Sequence, residues 1–184
     1  MRRVLHAVLF ALALLAAPPA AFAADYTDKA ALDELFAQLK DAPDASAAEA
    51  ITQTIWAYWF NPTDKVLADK MALVGNLEAQ RDFTGCLKLL DRIVADYPDY
   101  SEGWNRRATI YYQMMDYSAS LADIDKVLAI EPRHFGALSG RVMIELAIGD
   151  RPAALKDMVA ALAIHPYLQM KSFFPELNQP LVNI

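Results

Sequence analysis

The sequence predicts an all-α protein: an α-α superhelix of three stacked helix pairs, with an N-terminal helical pair as a cap. Three observations lead there. Pro98, Pro132 and Pro166 stand 34 residues apart, and each ends a similar phrase: Ala95-Asp96-Tyr97-Pro98, Ala129-Ile130-Glu131-Pro132 and Ala163-Ile164-His165-Pro166. Asp82, Asp116 and Asp150 keep the same register, as do Leu87, Leu121 and Leu155, and Leu90, Ile124 and Met158. Within the middle unit, Trp104, Ala108 and Tyr111 fall at helical i, i+4, i+7 spacing, the pattern of one buried face. A fixed period of this length marks a repeat architecture whose units bury their apolar faces only against each other.

Residues 1–23 read as a cleaved secretory signal. Arg2 and Arg3 give the positive start, residues 4–17 are apolar apart from His6, and Ala21-Phe22-Ala23 supplies the small-x-small cleavage pattern. That apolar run of 14 residues is short of the roughly 20 a membrane-spanning helix needs. A lipid anchor would need a cysteine at the cleavage site, and the single cysteine is Cys86. The expected location is the periplasm or the outside of the cell.

Residues 24–66 follow as a helical pair or degenerate repeat. Leu32, Leu35, Phe36 and Leu39 share one helical face; Ile51, Ile55, Trp56 and Trp59 suggest a second helix, separated from the first by Asp41-Ala42-Pro43-Asp44-Ala45-Ser46. The array then spans 67–168 as units 67–100, 101–134 and 135–168. In the middle unit a polar turn around Asp116 separates the two helices, and the aspartate column suits the start of the second helix, where a carboxylate accepts backbone N–H bonds and meets the positive end of the dipole. The proline suits the helix end, because it cannot continue a helix and disfavours helix in its predecessor. In the middle unit Ser120, Leu121, Ile124, Val127 and Leu128 form the second apolar face. Residues 169–184 form a capping tail: Pro175 interrupts any further helix, and Phe173, Phe174, Leu177 and Leu181 are placed to fold over the last exposed face.

This pattern resembles the tetratricopeptide repeat. The middle unit matches it best, with Trp104, Ala108, Tyr111, Ser120, Ile124, Val127 and Pro132 at the signature columns. The first unit matches in Leu73, Leu77, Cys86, Leu90 and Pro98, the third in Leu138, Ala154, Met158, Ala161 and Pro166. Val74 and Val142 replace a small residue where helices approach closely, Arg107 and Arg141 stand in a column usually held by leucine, and Glu145 stands where the family has tyrosine.

Net charge is −6 with no basic run, which argues against a nucleic-acid partner. No phosphate-binding glycine loop and no nucleophile elbow occurs, so neither an enzyme nor a cofactor is expected. One cysteine cannot make an internal disulfide, and Cys86 falls in a core column. His134 and His165 lie beside the prolines and read as helix-end residues at the negative end of the dipole rather than as metal ligands. Arg141 and Glu145 are four apart on one helix and predict an internal ion pair, joined by Arg107, in which deleting Glu145 would cost about 3–5 kcal/mol. The alternative for Arg107, Arg141 and Glu145 is a polar pocket for a small molecule or an anion.

The resemblance implies a concave surface lined by the first helix of each unit, along which ligand peptides lie. The matching positions are Met71, Gly75, Glu78, Asn105, Thr109, Tyr112, Ser139, Met143 and Leu146. Lysines of the family's carboxylate clamp are missing. Met71, Tyr112, Met143 and Leu146 suggest apolar contact with a partner, although Met71 is equally placed to pack against the N-terminal pair. The function expected is a non-enzymatic protein-interaction module of the bacterial envelope.

Overall fold

The computed structural model describes residues 26–178, so the signal segment and Leu181 lie outside the described residues. Within them are eight α-helices, two short 3-10 segments and no strand. The helices are α1 (Lys29–Lys40), α2 (Ala45–Phe60), α3 (Lys65–Ala79), α4 (Phe83–Asp96), α5 (Ser101–Gln113), α6 (Tyr117–Ile130), α7 (Phe135–Ala147) and α8 (Arg151–Ile164). Consecutive helices pack as pairs, and α4 packs on α5 and α6 on α7, which stacks one pair on the next.

The turns repeat with the sequence. Asp82, Asp116 and Asp150 cap α4, α6 and α8, each carboxylate accepting the backbone N–H three residues on. Asp28, Asp44 and Asp64 do the same for α1, α2 and α3. Each cap is worth about 1 kcal/mol. Just before the first three caps, the backbone N–H of Asp82, Asp116 and Asp150 reaches back to the carbonyl of Leu77, Tyr111 and Glu145. That closure needs a left-handed residue, and Arg81, Met115 and Gly149 supply it with φ of 58°, 62° and 83°. Only the glycine adopts that conformation without strain. Ahead of each proline, Tyr97, Glu131 and His165 are extended with φ between −131° and −128°, and the helix ends there.

Two further contacts recur at the same period. Ser120 Oγ donates to the carbonyl of Ala108 at 2.8 Å, and 34 residues earlier Cys86 Sγ meets the carbonyl of Val74 at 3.9 Å. Val74 and Val142 are fully buried, so the close approach accommodates valine. The second contact is ionic. Arg107 on α5 holds Asp123 of α6 through two 2.8 Å bonds and Asp91 of α4 through a third. Arg141 on α7 holds Asp157 of α8 and Asp125 of α6 in the same way. Each arginine thus ties the second helix of its own pair to that of the preceding pair.

This corrects the expected Arg141–Glu145 pair. Asp157 offers Arg141 a two-pronged partner across the helix interface, which a carboxylate one turn along the same helix cannot match. Glu145 Oε2 is left buried without a hydrogen bond. Burial, with Asp157 nearby, raises its pKa above the ordinary value.

The N-terminal pair does not sit as a lid on α3. Leu32, Phe36, Leu39, Ile55 and Trp59 form one core with Phe135 at the start of α7, and Ile164 at the end of α8 and Leu168 just beyond it pack against it. Asp33 accepts from Arg133, and Tyr167 Oη donates to the carbonyl of Ala42. Helix α2 therefore crosses the array. Thr52 in its middle meets His165 at the end of α8, and the carbonyl of Trp59 near its end accepts from Tyr100 at the start of α5. At the other end, Phe174 is fully buried against α7 and α8 and Leu177 packs with it, whereas Phe173 is 51% exposed, contrary to its expected role as cover.

Candidate interaction groove

The inner face of the array begins with α2, which covers the starts of α5 and α7. Trp59 lies flat on His134, ring centroids 4.0 Å apart and planes within 5°. His134 Nδ1 accepts the N–H of Ala137, so the ring proton sits on Nε2 and faces Glu102 Oε2 at 3.2 Å. His134 is thus the N-cap of α7 and stands at the positive end of a dipole, not the negative end. The proline two residues earlier closes one helix, but the ring opens the next. Glu102 is fully buried and accepts from His134, Asn105 and Arg106. His165 does cap the C-terminal end of α8. The Thr52 hydroxyl donates to Ala48, so its oxygen accepts the Nε2–H of His165. Burial lowers the pKa of His165 and keeps it neutral.

Above this covered strip the inner face is hollow. One cavity of about 200 Å³ is walled by Asn105, Thr109 and Tyr112 of α5, by Ser139 and Met143 of α7, and by Met170 of the C-terminal segment. A second, of about 470 Å³, lies between Glu49, Thr52 and Trp56 of α2 and Leu168 and Gln169 of the tail. Both are lined by Gly136 and Ser139, so they adjoin along α7 and are taken together as the groove. Glycine is required at 136, where a Cβ would come within 2.4 Å of the Trp56 ring. At Gly140 a Cβ would meet only Ile124 at 3.7 Å, an ordinary contact, which leaves the floor low and accessible.

Five of the nine groove positions expected from the sequence meet here: Asn105, Thr109, Tyr112, Ser139 and Met143. The other four do not line the groove. Met71 is 7% exposed in the α3–α4 core. Leu146 packs in the α7–α8 core beneath the tail. Glu78 is paired with Arg106, and burial raises its pKa. Gly75 faces open space with nothing near it. Asn105 also gives its amide N–H to Glu102, which reduces what it can offer a ligand. The structure adds Glu49, Trp56, Gln169 and Met170, which come from outside the repeats and carry no periodic signal.

Arg107, Arg141 and Glu145 line none of these cavities. The two arginines are 16 residues from each aspartate they hold and are wrapped into separate clamps. A cavity of about 740 Å³ lies between the start of α1 and residues 129–133, where α6 ends and the turn to α7 begins. Its two cations are already paired with carboxylates, Lys29 with Asp33, and Arg133 with Glu131 and Asp33, while Asp99 adds a further negative charge to the lining. Among the described residues no group of three His, Cys, Asp or Glu could hold a metal ion, and no helix is long and apolar enough to cross a membrane.

No family model matches the chain. A TPR repeat-containing protein of Rhizobium etli is 38% identical to it over 97 residues, 53% of this chain and 48% of that protein. The chain therefore spans about half the length of the curated relative it matches.

Proposed function

We propose that this chain of tetratricopeptide repeats is a non-enzymatic interaction module of the bacterial envelope, which holds a segment of a partner protein in the groove between α2, α5 and α7. The observation that carries this reading is the convergence of Asn105, Thr109, Tyr112, Ser139 and Met143 on one accessible hollow. Groove walls that combine aromatic and Met side chains with polar groups suit a protein segment. The signal-like start of the sequence supports export. Cys86 is fully buried and burial pushes its pKa up, which supports a packing role rather than a nucleophilic one. The polar-pocket reading loses its support, because Arg107 and Arg141 give their donors to aspartates of the chain itself.

Photo-cross-linking in the intact envelope tests this. A benzophenone amino acid at Thr109 is expected to capture a partner that the same group at Lys126, on the exposed face of α6, does not. Gly140→Arg should fill the groove and abolish capture while leaving the melting temperature close to wild type. Equal capture at Thr109 and Lys126 would sink the groove as the binding surface.

A further inference from the structure

The groove is electrically one-sided. Among the described residues, Glu49 is the only carboxylate lining the two cavities that form it, and no lysine or arginine lines either. Glu49 is exposed at the α2 end, and Gln53 occupies only its Oε1. His165, the only histidine among the described lining residues, is buried, and its two ring nitrogens are already engaged by the Thr52 hydroxyl and the Tyr167 N–H. An anionic segment laid along this surface would lose hydration and find no cation in return. A cation near Glu49 would find a partner, and the net charge of −6 favours its approach from a distance.

The free polar groups of the groove indicate the form of the occupant. The side chains of Tyr112, Ser139 and Gln169 make no hydrogen bond within the described residues. They belong to three different elements, α5, α7 and the tail. An extended segment has main-chain N–H and C=O groups to offer such partners, whereas a helix has already paired its own. The low floor at Gly140 allows that main chain to come close.

We infer that the groove takes a cationic, apolar segment: an extended stretch of a partner protein that lays small or medium apolar side chains between Trp56, Met143 and Met170 and sets a lysine or arginine against Glu49. This rests on the groove reading above and specifies its occupant.

The test identifies the captured sequence and then titrates it. A partner cross-linked through a benzophenone amino acid at Ser139 is digested, and the attached peptide is sequenced by mass spectrometry. A synthetic peptide of that sequence is then titrated against the full chain by tryptophan fluorescence. The attached peptide is expected to be apolar, with a lysine or arginine within a few residues of the cross-link. Its affinity should fall about tenfold in Glu49→Lys, less in Glu49→Gln, and weaken in high salt. Glu49 is exposed, so both variants should melt as wild type does. An acidic peptide, a second copy of this chain, attachment through a terminal carboxylate, or an affinity unchanged by Glu49→Lys would each overturn the inference and leave the groove reading standing. No capture at Ser139 above that at Lys126 would bring down the groove reading, and this inference with it.

Discussion

The array from α3 to α8 and the pair α1–α2 are both helix hairpins, yet they are held by different kinds of contact. In the array a whole set of contacts occurs again 34 residues on: the aspartate caps, the left-handed turns, the Cys86 and Ser120 bonds, the Arg107 and Arg141 clamps. The pair is held by contacts that occur once, chiefly Trp59 on His134, Phe36 on Phe135 and Thr52 on His165. Repetition spreads stability over equivalent sites. Unique docking concentrates it in a few side chains.

Trp59→Ala should therefore have the largest effect, about 3–5 kcal/mol in chemical denaturation, because the ring is 1% exposed and touches Phe36, His134 and Phe135. Hydrogen exchange should quicken in α1 and α2 and leave α3 to α8 protected. Equal loss of protection throughout would show one cooperative unit and erase the contrast. The clamps come next. Arg107→Ala strands Asp123, whose side chain is 6% exposed, and should cost about 3 kcal/mol in urea unfolding. Arg141→Ala should cost somewhat less, since Arg141 is 25% exposed against 16% for Arg107. If only one of the two destabilises, the clamps are not equivalent and the array is less regular than its geometry.

Glu145→Gln should give the smallest change, and in the opposite direction. Burial raises the folded-state pKa of Glu145 above its ordinary 4.5, so ionising it disfavours the fold. That penalty is present at neutral pH and fades as pH falls through the raised value toward 4.5. The variant should melt above wild type at neutral pH, and the gap should close on acidification. A lower melting temperature at neutral pH would mean that the carboxylate has a partner after all.

The array could be read from sequence because its caps, turns and clamps are local or recur at a fixed offset. Aspartate and proline columns announce helix starts and stops without knowledge of tertiary structure. Residue spacing alone misled where several partners compete. Arg141 and Glu145 are near neighbours on α7, but Asp157 reaches Arg141 from α8 with two oxygens. His134 follows a proline closely enough to read as a helix end, although it opens α7. In the groove, the middle and third units kept their inner faces free at Thr109, Tyr112, Ser139 and Met143. Met71 and Leu146 did not, because core packing in α3–α4 and beneath the tail claimed them. No periodic signal could foretell that α2 would cross from His165 to Tyr100, since those contacts join residues 113 and 41 positions apart in Thr52–His165 and Trp59–Tyr100.

The placement of α2 also fixes an order of events. Asp33 and Arg133 are 100 residues apart in the chain, so α1 must wait for a partner made long after it. The middle hairpins can zip together through near neighbours, while α1 and α2 must wait for Phe135 and Ile164. Contacts this distant in sequence slow the final stage of folding. Until then Phe36, Trp56 and Trp59 have only each other and the rest of their own hairpin to rest on, and their outward faces stay open to water.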